Sequence, residues 1–182
     1  MKTIILLATL LLVASFTPTN MFAATNAASS AALTPINIGA KEAPDSRVKA
    51  LTNVFNKYKS PLAPYAKDYV RAADKHGVDW RLLPAISGLE SSFGKHLMPE
   101  SHNAYGWGGG HIYFKDWEEG IDHINSKLRA NYMDKWKAKD VWEIGPIYAE
   151  SPTWAVRVDK FMREINTEYI AVSAKDSLTL SL

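Results

Sequence analysis

The sequence contains no cysteine among its 182 residues. This absence excludes disulfide bonds, a thiol nucleophile, a thiolate metal site and a lipid-modified cysteine behind a leader segment. An excess of one charge is also lacking, because 21 Lys and Arg residues stand against 19 Asp and Glu residues, a net charge of +2. That balance provides no basic stripe of the kind that nucleic-acid binding requires, so we expect no nucleic-acid partner.

Long hydrophobic runs are scarce as well. The run from Ile4 to Ala14 follows a positive start at Lys2, and it is too short for a comfortable membrane span. Small and polar residues follow it, which is typical of a secretory signal peptide. We therefore expect residues 1–27 to be a signal peptide and the protein to be secreted or held in the cell envelope. A retained N-terminal anchor is the alternative, because no single small-x-small cleavage site stands out.

The rest of the chain reads as one helical domain. Residues 28–46 have the composition of a flexible spacer, residues 47–172 carry the apolar periodicity of a folded domain, and residues 173–182 resemble a frayed tail. Capping and breaking signals predict six helices. They run from about Val48 to Tyr58, from Ser60-Pro61 to Gly77, from Asp79 to Gly94, from Trp117 to about Tyr132 behind an Asp116/Glu119 capping box, from Asp140 to a break at Gly145-Pro146, and onward from Ser151-Pro152.

The segment between Lys95 and Lys115 interrupts this helical spacing with Pro, Gly, His, Asn and aromatic residues. It predicts a small loop or hairpin lobe beside the helix that precedes it. The expected fold class is therefore mostly α, a single helical domain with a small inserted lobe.

Glu90 is a carboxylate on a helix whose neighbouring positions are apolar. At about 100° per residue it falls within the arc marked by Leu83 and Ile86. A carboxyl group held against apolar neighbours resists ionisation, which suits a general acid at neutral pH. The alternative is a glutamate at the rim of the apolar stripe that reaches for solvent or for a lysine.

The order of motifs that follows Glu90 resembles a known family, the bacterial endo-β-N-acetylglucosaminidase domain of autolysins and flagellum-associated wall hydrolases. That domain belongs to the lysozyme-like group, which includes the lytic transglycosylases. The resemblance covers roughly residues 60–165. The segments that carry it are Glu90-Ser91-Ser92-Phe93-Gly94, Asn103-Ala104-Tyr105-Gly106-Trp107, Tyr113-Phe114 with Trp117-Glu118-Glu119, and Tyr148-Ala149-Glu150-Ser151-Pro152 with Thr153-Trp154-Ala155.

The resemblance implies an α+β lysozyme-like fold and a role for each matching residue. Glu90 matches the general acid, and Tyr148 matches a tyrosine that lines the cleft near the scissile bond. Asn103, Tyr105 and Gly106 match the segment that closes the cleft floor. The chain departs from the transglycosylase pattern because residues 104–108 contain no glutamine, and the glycine-rich stretch 108–110 indicates a smaller or looser lobe.

The sequence does not identify the group that would assist Glu90 in catalysis. Glu100 is the first candidate for a carboxylate that stabilises an oxocarbenium-like centre, and Glu118 and Glu119 are alternatives, although the capping box explains Glu119. Two routes need no second carboxylate: assistance by the acetamido group of the substrate, and lytic transglycosylation with one glutamate.

Aromatic residues cluster after Glu90, and their flat faces suit the apolar faces of sugar rings. Tyr105 and Trp107 lie between glycines and are the candidates for substrate contact, together with Tyr148 and Asn103. Phe114 and Trp117 fit core packing better. The histidines of the same region, His96, His102 and His111, have no metal-ligand spacing, so we expect no metal and no cofactor.

The sequence therefore predicts an exported, monomeric glycoside hydrolase. Its expected substrate is a glycan that contains N-acetylglucosamine, and peptidoglycan is the favoured one. Glu90 is the expected proton donor. A lytic transglycosylase acting on the same polymer and a non-catalytic wall-binding module of the same fold are the two alternatives.

Overall fold

The computed structural model describes residues 45–180, with side chains described through residue 178. The predicted signal peptide and nearly all of the predicted spacer lie outside these residues. The described part consists of six α-helices and two short helical segments of other types. The α-helices are α1 (Ser46–Lys57), α2 (Ala66–His76), α3 (Leu82–Ser91), α4 (Trp117–Lys127), α5 (Val141–Tyr148) and α6 (Trp154–Leu180), with a 3₁₀ turn at Ala63–Tyr65 and a π-helical segment at Leu128–Lys135.

This architecture confirms the prediction of a mostly helical protein. Residues 92–116 form a succession of turns, and no β-strand occurs between residues 45 and 180, so the hairpin version of the inserted lobe does not form there. Within the same range, no helix combines the length and the apolar character that a membrane crossing requires.

The core forms where apolar faces of the helices meet. Helix α6 packs against α1, α3 and α5, while α2 packs against α4. On α1 the periodic residues Leu51, Val54 and Phe55 are buried, as the 3.6-residue spacing predicts. Asp45 caps this helix because its side chain accepts the amide proton of Arg47.

Helix α3 lies in the centre of the domain and is buried along nearly all of its length. Its close approach to α6 depends on Gly88, where a β-carbon would lie 2.7 Å from the Phe93 ring and 3.2 Å from the Phe161 ring. The helix ends at Ser91, because Ser92 and Phe93 adopt left-handed backbone conformations. Glu90 therefore stands in the last turn of a buried helix, at the point where the chain reaches the surface.

Local signals predicted several helix ends correctly. The Asp116 side chain accepts the amide proton of Glu119, and the Glu119 carboxylate accepts the amide proton of Lys115, which closes the start of α4. Gly77 ends α2 with a left-handed φ of 64°. The start of α2 was placed too early, because a 3₁₀ turn precedes the regular helix.

Two predictions about the C-terminal half are wrong. Helix α5 continues through Gly145-Pro146 to Tyr148, and Gly145 packs closely on the next helix: a β-carbon there would lie 3.0 Å from that of Ala155. The frayed tail predicted for residues 173–182 is helical at least to Leu180. Its attachment to α1 is polar, since Asp176 accepts hydrogen bonds from the side chains of Ser46 and Lys49, which explains why apolar periodicity does not reveal it.

Candidate active site

Two recesses adjoin at the surface end of α3. The Glu90 recess is about 370 Å³ in volume and is lined by Glu90, Ser91, His96, Leu97, Met98, Asn103, Gly106, Gly109 and Gly110. The Trp107 recess is about 380 Å³ in volume and is lined by Gly106, Trp107, Gly108, Gly109, Tyr132 and Tyr148. Both recesses share Gly106 and Gly109, so the glycine-rich loop forms the boundary between them.

Glu90 is an exposed residue, so the prediction that it lies among the apolar side chains of its helix is wrong. The helix is too near its end at this position to cover the side chain. The carboxylate is nevertheless held in place, because the indole N–H of Trp154 donates a hydrogen bond of 2.8 Å to its Oε1 atom. The other oxygen, Oε2, lies where a β-carbon on Gly106 would be 3.0 Å away.

Ser91 connects the end of α3 to the glycine-rich loop. Its hydroxyl lies 2.8 Å from the carbonyl oxygen of Ala104 and 3.0 Å from that of Ser87, and it accepts the amide proton of Gly94. The serine that follows Glu90 is therefore buried and structural. It holds the loop against the helix turn that carries the carboxylate.

Asn103 shapes the same loop from the inside. Its side-chain amide donates hydrogen bonds to the carbonyl oxygens of Trp107 and Ile112, and its Oδ1 atom accepts from the amides of Tyr105 and Trp107. The residue is only 3% exposed. Although Asn103 lines the Glu90 recess, its hydrogen-bonding capacity is used within the loop, so it positions the neighbouring residues.

Tyr105 is fully buried, so the prediction that its side chain contacts substrate is wrong. Its hydroxyl pairs with the Tyr69 hydroxyl at 2.9 Å, and burial raises the pKa of both groups well above the ordinary tyrosine value. The backbone of Tyr105, in contrast to its side chain, contacts a residue of the site. Its carbonyl oxygen accepts a hydrogen bond of 2.7 Å from the Tyr148 hydroxyl.

Tyr148 lies beside the carboxylate, where the sequence motif predicted it. Its ring stacks on Trp154 at a centroid distance of 4.7 Å and an interplanar angle of 25°. Enclosure of its hydroxyl raises the pKa of Tyr148 well above the ordinary value, and the negative charge of Glu90 adds to this shift. Tyr148 is thus a neutral hydrogen-bond donor that fixes the wall of the recess.

Trp107 and Tyr132 complete an aromatic group around Tyr148. The ring centroids of Trp107 and Tyr148 are 6.3 Å apart, those of Tyr132 and Tyr148 5.7 Å, and those of Trp107 and Tyr132 6.5 Å. Tyr132 comes from the π-helical segment after α4, and such segments often occur at functional sites. Trp107 and Tyr132 therefore line the same recess as Tyr148.

Glu100 is exposed and does not line either recess, so the structure does not bring it together with Glu90. Glu118 and Glu119 are exposed in the first turn of α4, where Glu119 serves the capping box. Glu90 is the single acidic side chain among the residues that line the two recesses.

The histidines of the region are dispersed. His96 lines the Glu90 recess and is exposed, whereas the His102 ring nitrogen Nδ1 lies 3.0 Å from the carbonyl oxygen of Phe114 and the ring packs edge-on against Trp117. Between residues 45 and 180, no group of three or more His, Asp or Glu side chains is arranged to hold a metal ion.

Sequence reasoning missed Trp154 and Tyr132 as site residues. Trp154 belongs to the segment that follows Tyr148 and carries the family resemblance. A tryptophan six positions after a tyrosine does not by itself indicate any chemistry. Tyr132 stood at the end of a predicted α-helix, and only the change to π-helical geometry turns it toward Trp107 and Tyr148.

Comparisons of the sequence with known proteins add no assignment to this geometry. No family model matches the chain, and no curated protein matches it.

Proposed function

We propose that this protein is an exported, lysozyme-like glycosidase that cleaves a glycan containing N-acetylglucosamine, with peptidoglycan as its first substrate and Glu90 as its proton donor. The observation that carries the proposal is the Trp154–Glu90 hydrogen bond at the edge of an aromatic recess. It holds a carboxyl group at a fixed place beside rings that suit sugar faces.

The hydrogen bond also favours one oxygen of Glu90 as the atom that delivers the proton. Oε1 of Glu90 accepts from the Trp154 indole, so it acts as an acceptor only. The acidic proton then belongs on Oε2, which faces Gly106 between the two recesses. A glycosidic oxygen placed over Gly106 would receive that proton as its bond to the sugar breaks.

The absence of a β-carbon at Gly106 supports this arrangement. The residue has a left-handed φ of 65°, and any side chain would press on Oε2 of Glu90 at 3.0 Å. The loop therefore leaves the carboxyl oxygen open to a substrate. Asn103 maintains the loop in this shape through its four hydrogen bonds.

Lytic transglycosylation is the second candidate, because Glu90 is the single carboxylate among the residues lining the two recesses. An enzyme of this kind needs one glutamate, which first donates and then recovers a proton, while the sugar's own hydroxyl closes an anhydro ring. Hydrolysis assisted by the acetamido group of the substrate is compatible with the same residues.

The deciding experiment is digestion of purified wall sacculi followed by mass spectrometry of the released fragments. New reducing ends identify a hydrolase, and 1,6-anhydro ends identify a transglycosylase. Glu90→Gln should lower cleavage by about 10²- to 10⁴-fold, the usual contribution of general acid catalysis. Its melting temperature should stay near that of the wild type, because the amide oxygen can still accept the Trp154 hydrogen bond.

Glu150→Gln is the matched control, since Glu150 is an exposed acidic residue near Tyr148 in sequence. It should cleave sacculi at the wild-type rate. Wild-type protein that sediments with sacculi and releases no fragments would identify a wall-binding module, and full activity of Glu90→Gln would remove the proton donor from the proposal.

A further inference from the structure

Few side chains around Glu90 can exchange a proton. Four titratable side chains line the two recesses: Glu90, His96, Tyr132 and Tyr148. Burial raises the pKa values of Tyr132 and Tyr148 above the ordinary tyrosine value, so both hydroxyls stay protonated near neutral pH. Histidine, in contrast, is the side chain that ordinarily changes charge between about pH 5 and pH 8. Besides Glu90, His96 is therefore the side chain of the two recesses that can accept a proton near neutral pH.

A strained turn brings His96 back to the end of α3. Residues 92–94 adopt three successive left-handed conformations, with φ values of 52°, 59° and 80°, and two of these residues are not glycine. Each non-glycine residue in this conformation costs about 1–2 kcal/mol, and backbone strain of this kind concentrates at functional sites. After the turn, the amide of His96 donates a hydrogen bond of 2.9 Å to the carbonyl oxygen of Ser91, the residue that follows Glu90.

The imidazole ring of His96 keeps both nitrogens available. Among the residues that the structure describes, the ring has no hydrogen bond or ion pair. Two other histidines differ, because Nδ1 of His102 lies 3.0 Å from a backbone carbonyl oxygen and Nε2 of His76 lies 2.9 Å from a carboxylate oxygen. His96 is also exposed where it lines the Glu90 recess, so water reaches the ring. A water molecule takes about 30 Å³ in the liquid, and the recess of about 370 Å³ has room for one beside a substrate.

We propose that His96 is the general base that activates the water for hydrolysis. Glu90 donates its proton from Oε2 to the glycosidic oxygen while the bond between that oxygen and the anomeric carbon breaks. The water oxygen bonds to the same carbon, and the proton that the water loses passes to a nitrogen of the neutral His96 ring. The products are a reducing end and a free sugar hydroxyl. Solvent then takes the proton from His96 and returns one to Glu90.

This inference rests on the proposed glycosidase function and adds to it the partner of Glu90. It needs no second carboxylate, which agrees with the single acidic side chain among the residues that line the two recesses. It also commits the reaction to hydrolysis, because a base that activates water has no part in closing an anhydro ring.

The test compares His96→Gln with His111→Gln on purified sacculi. Glutamine remains polar but cannot accept a proton near neutral pH, so His96→Gln should lower kcat/KM by about 10²- to 10⁴-fold, the usual contribution of general base catalysis. His111 is equally exposed and lines neither recess, so His111→Gln should cleave at the wild-type rate. Both melting temperatures should stay near that of the wild type, because neither substitution removes a buried contact.

The pH profile distinguishes a base from a residue that only supports the loop. The wild-type rate should fall from about pH 8 to about pH 5, because a protonated ring cannot accept the proton of water. In His96→Gln this decline should disappear. A decline caused by Glu90 would persist in both proteins, since the variant keeps Glu90. The surrounding turns carry further titratable groups that do not line the recess: Lys95, Glu100, His102 and His111.

Chemical rescue provides a second readout. His96→Ala leaves space where the ring stood, and added imidazole can accept the proton from the same place. Imidazole should therefore restore part of the activity of His96→Ala. It should have no effect on Glu90→Gln, which lacks the proton donor.

The outcomes separate the base from the proposed function. A wild-type rate for His96→Gln, or a loss that keeps the shape of the pH profile and that imidazole does not restore in His96→Ala, overturns the role of His96. Cleavage by the wild-type protein then leaves the glycosidase intact. Products with 1,6-anhydro ends also overturn the base, because no water has attacked, and they leave Glu90 as proton donor. A wild-type protein that releases no fragments overturns both.

Discussion

The indole N–H of Trp154 donates a hydrogen bond to Oε1 of Glu90 across 64 positions of sequence, at a distance of 2.8 Å. Trp154 is 3% exposed and is the first residue of α6, while Glu90 is in the last turn of α3. Two helix ends therefore fix the orientation of one exposed carboxylate. The ring of Tyr148 stacks on the face of the same indole.

Trp154→Phe should lower kcat while leaving KM close to the wild-type value. The phenyl ring preserves stacking on Tyr148 but cannot donate to Glu90, so the carboxyl group loses its fixed orientation. A hydrogen bond to a charged group is worth about 1.5–3 kcal/mol, which corresponds to a fall in kcat of roughly ten- to a hundred-fold. Rates measured over a series of sacculi concentrations separate kcat from KM, and an equal change in both would contradict a positioning role for Trp154.

Gly106→Ala should reduce activity by about a hundred-fold, because a β-carbon 3.0 Å from Oε2 of Glu90 displaces the carboxylate, and a misplacement of about 1 Å has effects of that size. The left-handed backbone at this position adds a stability cost of about 1–2 kcal/mol.

Gly77→Ala provides the matched control for that strain. Gly77 has nearly the same φ, 64° against 65°, and its added β-carbon would make only an ordinary contact with Arg129. Both variants should lose similar amounts of unfolding free energy in urea, whereas Gly77→Ala should cleave sacculi normally. A loss of activity in both would show that stability alone explains the effect of Gly106→Ala.

Glu100→Gln should leave kcat within about two-fold of the wild-type value, since exposed substitutions away from a site usually change free energies by less than 0.5 kcal/mol. Glu100 is exposed and lines neither recess. Steady-state rates on sacculi measure the effect. A fall of several orders of magnitude would restore the mechanism with two carboxylates that the sequence first suggested.

The protein should lose stability as the pH rises above about 10, the ordinary pKa of tyrosine in the unfolded chain. Burial raises the pKa values of Tyr69, Tyr105 and Tyr148 in the folded state, so only the unfolded chain releases these protons just above that pH. The contribution is fully present below about pH 10. Above it, each such tyrosine lowers the unfolding free energy by about 1.4 kcal/mol per pH unit until its folded-state pKa is reached.

Urea unfolding at a series of alkaline pH values tests this expectation. The double variant Tyr69→Phe/Tyr105→Phe removes both members of the buried hydroxyl pair, so no hydroxyl of the pair is left without its partner. Its unfolding free energy should decline less steeply above pH 10 than that of the wild type. Identical slopes would indicate that these two groups do not remain protonated in the folded protein.

Helix positions could be predicted from the sequence because their causes are local. The Asp116/Glu119 capping box and the left-handed Gly77 act within four residues of chain, and both occur as predicted. Prediction failed where packing overrides a local rule. Pro146 lies inside α5, where Gly145 packs against Ala155, and breaker rules do not include such a contact with a residue ten positions along the chain.

The site was predictable in its motifs and unpredictable in the orientation of its aromatic residues. Tyr105 and Trp107 both lie near glycines, yet Tyr105 is buried against Tyr69 while Trp107 lines a recess. These two aromatic residues are only two positions apart in the sequence, yet their side chains have different environments. The turn that Asn103 organises directs them to opposite sides, and that turn depends on hydrogen bonds which the sequence pattern does not encode.

The amino-acid sequence by itself determined the helical class of the domain, several of its helix ends and the position of Glu90 in the chain, because periodicity and capping operate over a few residues. Tertiary structure alone decided that Glu90 is exposed, that Trp154 holds it and that Tyr132 faces Trp107. These relationships join residues 25 to 64 positions apart, so they exist only after α3, α6 and the π-helical segment have packed around one core.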